Sequence, residues 1–314
     1  YPLLAVVIGL LIFVLLPFVP DSIVHPRHNA RRWINLVVMD FQPSELAKIA
    51  YVLVLARVMK QTPDYRRFRG VLALIGGTLI PVVLILVEPD LGTALLFFPV
   101  LFALLLAAGA RLRHLVIIVL AGALFAPAAY PALKPHQKNR IRAMIAQVVG
   151  DDRYERDIGF QGARARTLVG AGGLTGVGRE RAEDLVLLNA LPEDHNDMIF
   201  AVICCRWGLV GGAAVWALFL LFATGAILVA AAQRDAFARL VPLGLMTFLM
   251  AQMCINTGMT IGVLPITGMT LPFVSYGGSS MLSCWLMVGL ILNIGLRRPP
   301  YTFHEPFAFD DDAT

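Results

Sequence analysis

Runs of apolar residues, interrupted by short polar connections, recur along almost the whole chain. A bilayer core needs about 20 helical residues, and eight stretches approach or exceed that length: 1–18, 42–59, 71–87, 91–110, 115–133, 199–231, 240–256 and 278–296. The second is the most amphipathic of them. Pro81, Pro127 and the pair Gly211 and Gly212 fall inside the runs, which membrane helices tolerate because neighbouring groups re-satisfy the freed backbone. The pattern predicts an all-α, polytopic membrane protein with eight transmembrane helices, forming a single membrane domain over 1–314. Two stretches fall outside the bilayer, 20–41 and 134–196. The longer has Lys/Arg and Asp/Glu in near balance, which reads as one long charged loop. No heptad pattern, low-complexity tract or inverted repeat is evident, and the last point weighs against an inverted-repeat transporter.

Charge orients the spans. Lys60, Arg66, Arg67 and Arg69, then Arg111 and Arg113, Arg234 and Arg239, and Arg297 and Arg298 lie in alternate connections, while 88–90 and 257–277 have no Lys or Arg. Basic short loops mark the cytoplasmic side. This places 20–41, 134–196 and 257–277 outside the cytoplasm and the C-terminus, with its Asp310–Asp312 tail, inside. Composition agrees: 58% of the 314 residues are apolar and 15% charged, against roughly 45–50% and about 25% in a soluble domain. A net charge of +5 spread along the chain argues against a nucleic-acid binder, whose basic residues cluster on one face. Cys204, Cys205, Cys254 and Cys284 have no zinc-ligand spacing and read as packing. The chain begins at Tyr1 directly in an apolar run, the start expected of a chain that opens partway through a longer membrane protein.

Ionisable and helix-breaking groups at membrane level are costly and default to function. Glu45 and Lys48, in FQPSELAK, stand three apart on one helical turn after Pro43 and Ser44. They read either as a structural ion pair or as the lining of a polar cavity, with Arg32 arriving from the preceding loop to meet a phosphate. Glu88-Pro-Asp-Leu-Gly-Thr93 forms a tight turn whose Asp90 is placed to cap the next helix. The stretch 262–280, with Pro265, Ser275, Gly277, Gly278 and Ser279, suits a re-entrant loop lining a water-filled cavity, since its amides would be intolerable against lipid. Glu193, Asp194, His195 and Asp197 gather where the long loop meets a span. Asp197 reads either as a helix cap or as a general base with neighbours able to tune it.

At these residues a resemblance emerges. RRW, FQPSELAK, EPDLGTA, GAGGLTGVG, LPEDHNDMIFA and GVLPITGMTLPFVSYGGSS occur in the order and spacing of the shape, elongation, division and sporulation family, the RodA/FtsW-type peptidoglycan glycosyltransferases, and the ending LMVGLILNI leans towards the elongation, RodA-like type. The family has ten membrane helices, so this chain resembles the third to the tenth. The resemblance implies a polymerase in the bacterial cytoplasmic membrane that joins lipid II into glycan strands at the extracytoplasmic face during cell-wall synthesis, cell shaping or cell division, with a class B penicillin-binding protein supplying cross-links. It puts the family's essential aspartate on Asp197, its loop residues on Glu193 and His195, its arginine on Arg32 and its cavity pair on Glu45 and Lys48. In that chemistry Asp197 takes the acceptor hydroxyl proton, the anomeric centre inverts, and Arg32 and Lys48 neutralise the departing pyrophosphate. A divalent cation, Mg or Mn, could assist, although no His/Asp cluster in the sequence specifies one.

The chain departs from the family pattern at Cys205 and Arg206, where two acidic residues are usual, at Arg164 and Ala165 in place of Gln-Ser, and at Asn196 in place of Thr. Two other classes compete with the polymerase: a flippase for the lipid-linked sugar, and a non-catalytic scaffold for the penicillin-binding protein. The polymerase reading expects Asp197 in a cavity within reach of Arg32 or Lys48, and Arg206 facing protein or a polar cavity.

Overall fold

The computed structural model describes residues 2–27, 30–36, 40–132, 138–139, 142, 160–189, 191 and 195–297. All eight apolar runs are helical: α1 (Pro2–Leu15), α2 (Pro43–Gln61), α3 (Phe68–Val87), α4 (Leu91–Ala107), α5 (Leu112–Ala129), α8 (Ile199–Ala231), α9 (Ala236–Thr260) and α10 (Gly278–Leu296). Two more helices, α6 (Phe160–Gly172) and α7 (Arg179–Asn189), occupy part of the long loop. A small antiparallel sheet, β1 (Val24–Arg27), β2 (Ala30–Asn35) and β3 (Asp40–Phe41), fills the 20–41 segment. Helices α3, α8, α9 and α10 are long and apolar enough to cross a membrane. The protein is a multi-pass membrane protein, and exposed Leu79, Ile80 and Val83 on α3 and Leu120 and Leu124 on α5 form the apolar exterior such a protein presents to lipid.

Helix α2 stands at the centre, packed by α1, α3, α4, α9 and α10. Pro43 opens it at the first helical position with Gln42 as the cap residue, where a missing N–H costs nothing. Its amphipathic sequence is explained by this position, because its polar face meets other helices rather than lipid. Tyr51 on α2, Phe97 on α4 and Phe248 on α9 interlock edge to face, with centroids 4.9, 5.3 and 6.3 Å apart, and the Tyr51 hydroxyl lies 2.8 Å from Thr78 Oγ1 on α3.

Three contacts gather the basic connections at one end of the bundle. Lys60 pairs with Asp235, Phe68 meets His114 edge to face at 5.5 Å, and Gln233 donates to the Ile294 carbonyl at 3.2 Å. The other end holds the sheet, the 88–90 turn and the 261–277 segment.

Helix α8 is an elbow rather than one rod. Gly208 has φ 66° and ψ −158°, a conformation open essentially to glycine alone. The Phe200 ring comes within 3.3 Å of where a side chain would stand at Gly212, although a straight helix would hold those residues about 18 Å apart. The freed backbone groups are met by the GAGGLTGVG segment. Val177 and Gly178 amides donate to Cys205 and Arg206 carbonyls at 3.0 and 3.3 Å, and Leu209 and Val210 amides donate to Gly173 and Leu174 carbonyls at 2.9 and 3.2 Å. Only the arm from Leu209 to Ala231, about 35 Å at 1.5 Å per residue, spans the core. The arm Ile199–Trp207 folds back beside it. Against that first arm, Ala165, Leu168, Ala182, Met198, Ala201 and Met259 form a second small core.

Candidate functional site

Glu45 and Lys48 form the buried ion pair that their spacing allows. The Lys48 ammonium is 2.8 Å from each Glu45 carboxylate oxygen and is 2% exposed. It also donates to Gln252 Oε1 on α9 at 3.0 Å. Gln252 passes the network on, its amide donating to the Thr270 carbonyl and hydroxyl at 3.0 and 3.1 Å, and Thr270 Oγ1 lies 3.0 Å from Ser280 Oγ. Ser283 closes the loop by donating to the Glu45 carbonyl at 3.3 Å. A buried ion pair is tolerable only when further hydrogen bonds satisfy its members; Gln252 supplies one to the Lys48 ammonium, while the Glu45 carboxylate is held by Lys48 alone among the described residues.

One turn further along α9, Asn256 donates to the Asp197 carbonyl at 2.8 Å and to the Met269 carbonyl at 2.6 Å. The two preceding carbonyls are held as well. Ser275 Oγ donates to Asn196 O at 2.6 Å, and the Tyr276 amide donates to His195 O at 3.1 Å. The Leu271 amide in turn donates to Ser275 Oγ at 2.6 Å. The 195–197 segment is therefore laid along the irregular 268–276 backbone. The Asp197 carboxylate lies against Gly268, with Oδ2 3.3 Å from where a Cβ would stand. Met198, not Asp197, occupies the cap position of α8, so the carboxylate sits one residue ahead of the helix. Asp197 is half-buried and His195 exposed; Glu193 and Asp194 lie outside the described residues.

Arg32, on β2, reaches the EPDLGT turn. Its Nε donates to the Glu88 carbonyl at 2.6 Å, Nη2 donates to the Pro89 carbonyl, and the guanidinium lies 5.9 Å over the Trp33 ring. Asp90 caps α4, accepting from the Thr93 amide and hydroxyl at 3.1 and 3.0 Å. It also accepts from Gln42 Nε2 at 3.1 Å. The Gln42 amide donates to Ser279 Oγ at 3.0 Å, so the first turn of α10 ties the Arg32 group to the Lys48 group. Glu88 is fully buried, and neither of its carboxylate oxygens has a hydrogen-bond partner among the described residues. Burial, reinforced by Asp90 and opposed by Arg32, pushes its carboxyl up to about 8.

Of the loop residues singled out from sequence, Ser275 and Ser279 bond directly across the site, Gly277 caps α10, and Gly278 opens that helix. Pro265 is half-buried in the same irregular stretch. Gln252 and Asn256 were not among the predicted residues. Their signal was available, since amides at i and i+4 inside an apolar helix mark a polar face. Arg206 stacks on Trp207 at 4.5 Å and is half-exposed. Among the described residues no three His, Cys, Asp or Glu side chains converge as a metal site would require.

The chain as a whole is similar to known proteins. The chain is 32% identical to a probable peptidoglycan glycosyltransferase FtsW of Trichlorobacter lovleyi, over 96% of this chain and 77% of that one. It is 34% identical to the peptidoglycan glycosyltransferase MrdB of Escherichia coli K12, over 86% and 72%. Among solved structures, one described as the structural coordination of polymerization and crosslinking by a peptidoglycan synthase complex superposes with a TM-score of 0.78 at 30% identity, covering 96% of this chain and 81% of that one. The crystal structure of the Thermus thermophilus rod shape determining protein RodA gives 0.63 at 27% identity, covering 95% and 78%. The family profile FtsW/RodA/SpoVE, described as cell cycle protein, matches residues 2–298. With that match running from α1 to the end of α10, the chain belongs to the FtsW/RodA/SpoVE family.

Proposed function

We propose that the protein is an inverting peptidoglycan glycosyltransferase that polymerises lipid II at the outer face of the bacterial cytoplasmic membrane, with Asp197 as general base. The observation that carries this reading is the clamp on three consecutive carbonyls, His195, Asn196 and Asp197, each accepting a hydrogen bond from the α9 or 268–276 side. Such a clamp fixes one carboxylate in place, which general-base catalysis needs. A flippase has to rearrange its site during each cycle, and transporter sites usually sit at the midplane. Here the carboxylate lies at the end of the bundle opposite the basic connections, the side the distribution of Lys and Arg makes extracytoplasmic.

In the proposed reaction Asp197 takes the proton from the 4-hydroxyl of the acceptor GlcNAc. The oxygen attacks the anomeric carbon of the donor MurNAc, the new glycosidic bond forms, and the bond to undecaprenyl pyrophosphate breaks with both electrons leaving on the phosphate oxygen. Arg32 is the cation placed to meet the pyrophosphate. Two of its five N–H groups hold the Glu88 and Pro89 carbonyls, leaving the rest of the fork to face a ligand. Lys48 is enclosed by Glu45 and Gln252 and works from behind, positioning α9 rather than touching substrate. His195, beside Asp197, is placed to bind a sugar hydroxyl. The described donor set does not form a resident metal site; a divalent cation would enter with the pyrophosphate. The proposed partner is a class B penicillin-binding protein, a pairing supported by the likeness to the peptidoglycan synthase complex.

The test is polymerisation of lipid II by the purified protein, with and without its cognate penicillin-binding protein, comparing wild type with Asp197→Ala and Asp197→Asn. Glycan polymer is expected only with the carboxylate intact, at unchanged melting temperature. Polymer made equally well by both variants refutes the assignment. Labelled lipid II crossing liposomes without polymer would favour the flippase.

A further inference from the structure

The elbow in α8 builds a feature that catalysis at Asp197 does not use. Because the arm Leu209–Ala231 alone measures about 35 Å, its break at Gly208 falls where the hydrocarbon core ends, about 30 Å from the basic end. Arg206 and Trp207 stand at the apex of that break, at headgroup depth. The guanidinium stacks on the indole at 4.5 Å, and Trp207 is 49% exposed, the amphipathic pairing found at membrane interfaces. Below them, between the two arms, runs a groove of about 460 Å³ lined by Thr175, Ile203, Trp207, Val210, Ala214 and Leu218. Its lining is almost wholly apolar, and it descends along the second arm from the apex towards the core.

We propose that this elbow is a binding site for one anionic phospholipid, its phosphate held by Arg206 and one acyl chain lying in the groove. Three observations converge on that occupant. The length of the second arm puts the cation at headgroup depth, the indole on which the guanidinium stacks lines the upper end of the groove, and the groove continues along the second arm into the hydrocarbon layer, where only an apolar chain is at home. Arginine suits the phosphate because its planar fork donates to two oxygens at once. The apex is also rigid, since the Arg206 carbonyl is bonded to the Gly178 amide and its neighbour Cys205 to Val177. Leu174, 71% exposed and in the same segment, adds apolar surface to the rim.

The experiment is native mass spectrometry of the delipidated, detergent-purified chain titrated with phosphatidylglycerol, phosphatidylcholine or undecaprenyl pyrophosphate. Phosphatidylglycerol is expected to bind tightest. Arg206→Gln removes a charge-assisted hydrogen bond and should weaken it roughly tenfold, while Ala214→Phe fills the groove and should abolish retention with Arg206 still present. The two substitutions act on separate parts of the site, so failure of either to fold leaves the other to decide. Equal binding by wild type and the folded variants overturns the proposal, as does phosphatidylcholine binding as well as phosphatidylglycerol. Preferential uptake of undecaprenyl pyrophosphate would make the groove a substrate channel, and a groove that takes no phospholipid but is filled by a partner's membrane helix would make it a protein interface; either result overturns the proposal.

Discussion

Gln252 and Asn256 stand one turn apart on α9 and hold the two halves of the site together. Gln252 accepts from the Lys48 ammonium at 3.0 Å, and Asn256 donates to the Asp197 carbonyl at 2.8 Å. The buried ion pair on α2 and the proposed base are thus placed by one face of one helix. Asn256→Ala removes the donor shared by Asp197 and Met269 without touching the carboxylate. Activity should then fall through kcat, by about a hundredfold if the base shifts by an ångström, with KM for lipid II changed less than about threefold. Steady-state polymerisation rates check this, and a variant whose loss lies wholly in KM would show that the clamp serves binding instead.

Lys48 gives a second expectation. Removing one member of a buried pair strands the other, at about 3–5 kcal/mol, whereas replacing both by apolar groups of similar size is often neutral. Lys48→Met alone should lower the melting temperature in detergent sharply. The double variant Glu45→Leu with Lys48→Met should recover most of it, although Gln252 then keeps an unmet acceptor. A double variant that regains both stability and polymerase activity would establish Lys48 as a positioning residue; one that is stable but inactive would return it to the substrate.

The amino-acid pattern made the eight membrane runs legible because each run carries its own apolar signal. The same pattern runs through Gly208 as one apolar stretch interrupted by Arg206 alone, so only backbone φ and contacts across the elbow reveal the turn. Glu45 and Lys48 were readable because their spacing alone brings them together. That Lys48 is sealed off by Gln252 depends on α9 packing against α2, a contact between positions 204 residues apart in sequence. The Asp90 cap needed only local spacing. The clamp on 195–197 is tertiary, made by a loop whose glycines and prolines announce irregular backbone but not its partner.

Glu88 makes stability depend on pH. Its carboxyl rises from 4.5 to about 8, first through burial, then through Asp90, with Arg32 pulling the other way. Between those values the folded chain keeps a proton that the unfolded chain has lost. The unfolded state therefore binds fewer protons, and this group makes stability fall as pH rises through the window and level off above about 8. Glu88→Gln should remove that slope and leave the variant more stable than wild type at pH 8, with little difference near pH 5. Melting temperatures from pH 5 to 9 test it. Identical pH profiles for the two proteins would mean that Glu88 is ionised and paired in the folded state.

Gly208 tests whether the elbow in α8 is required. At φ 66° and ψ −158° an alanine is strained by about 1–3 kcal/mol, and its Cβ would stand 2.4 Å from the Leu174 carbonyl oxygen. That oxygen accepts the Val210 amide, so the added methyl would push apart the segment that satisfies the break and leave backbone groups of a protein-buried turn unpaired. Gly208→Ala should lower the melting temperature by more than the strain alone predicts, and should lower polymerase activity as the Ile199–Trp207 arm, which begins two residues after Asp197, loses its seat. Gly225→Ala is the control on the same helix. Nothing lies within 4 Å of its added Cβ, and helix propensity favours the change by about 1 kcal/mol, so stability should hold or rise. If both substitutions behave alike, α8 is a continuous rod in the membrane and the first arm is not held by the Gly173–Gly178 segment.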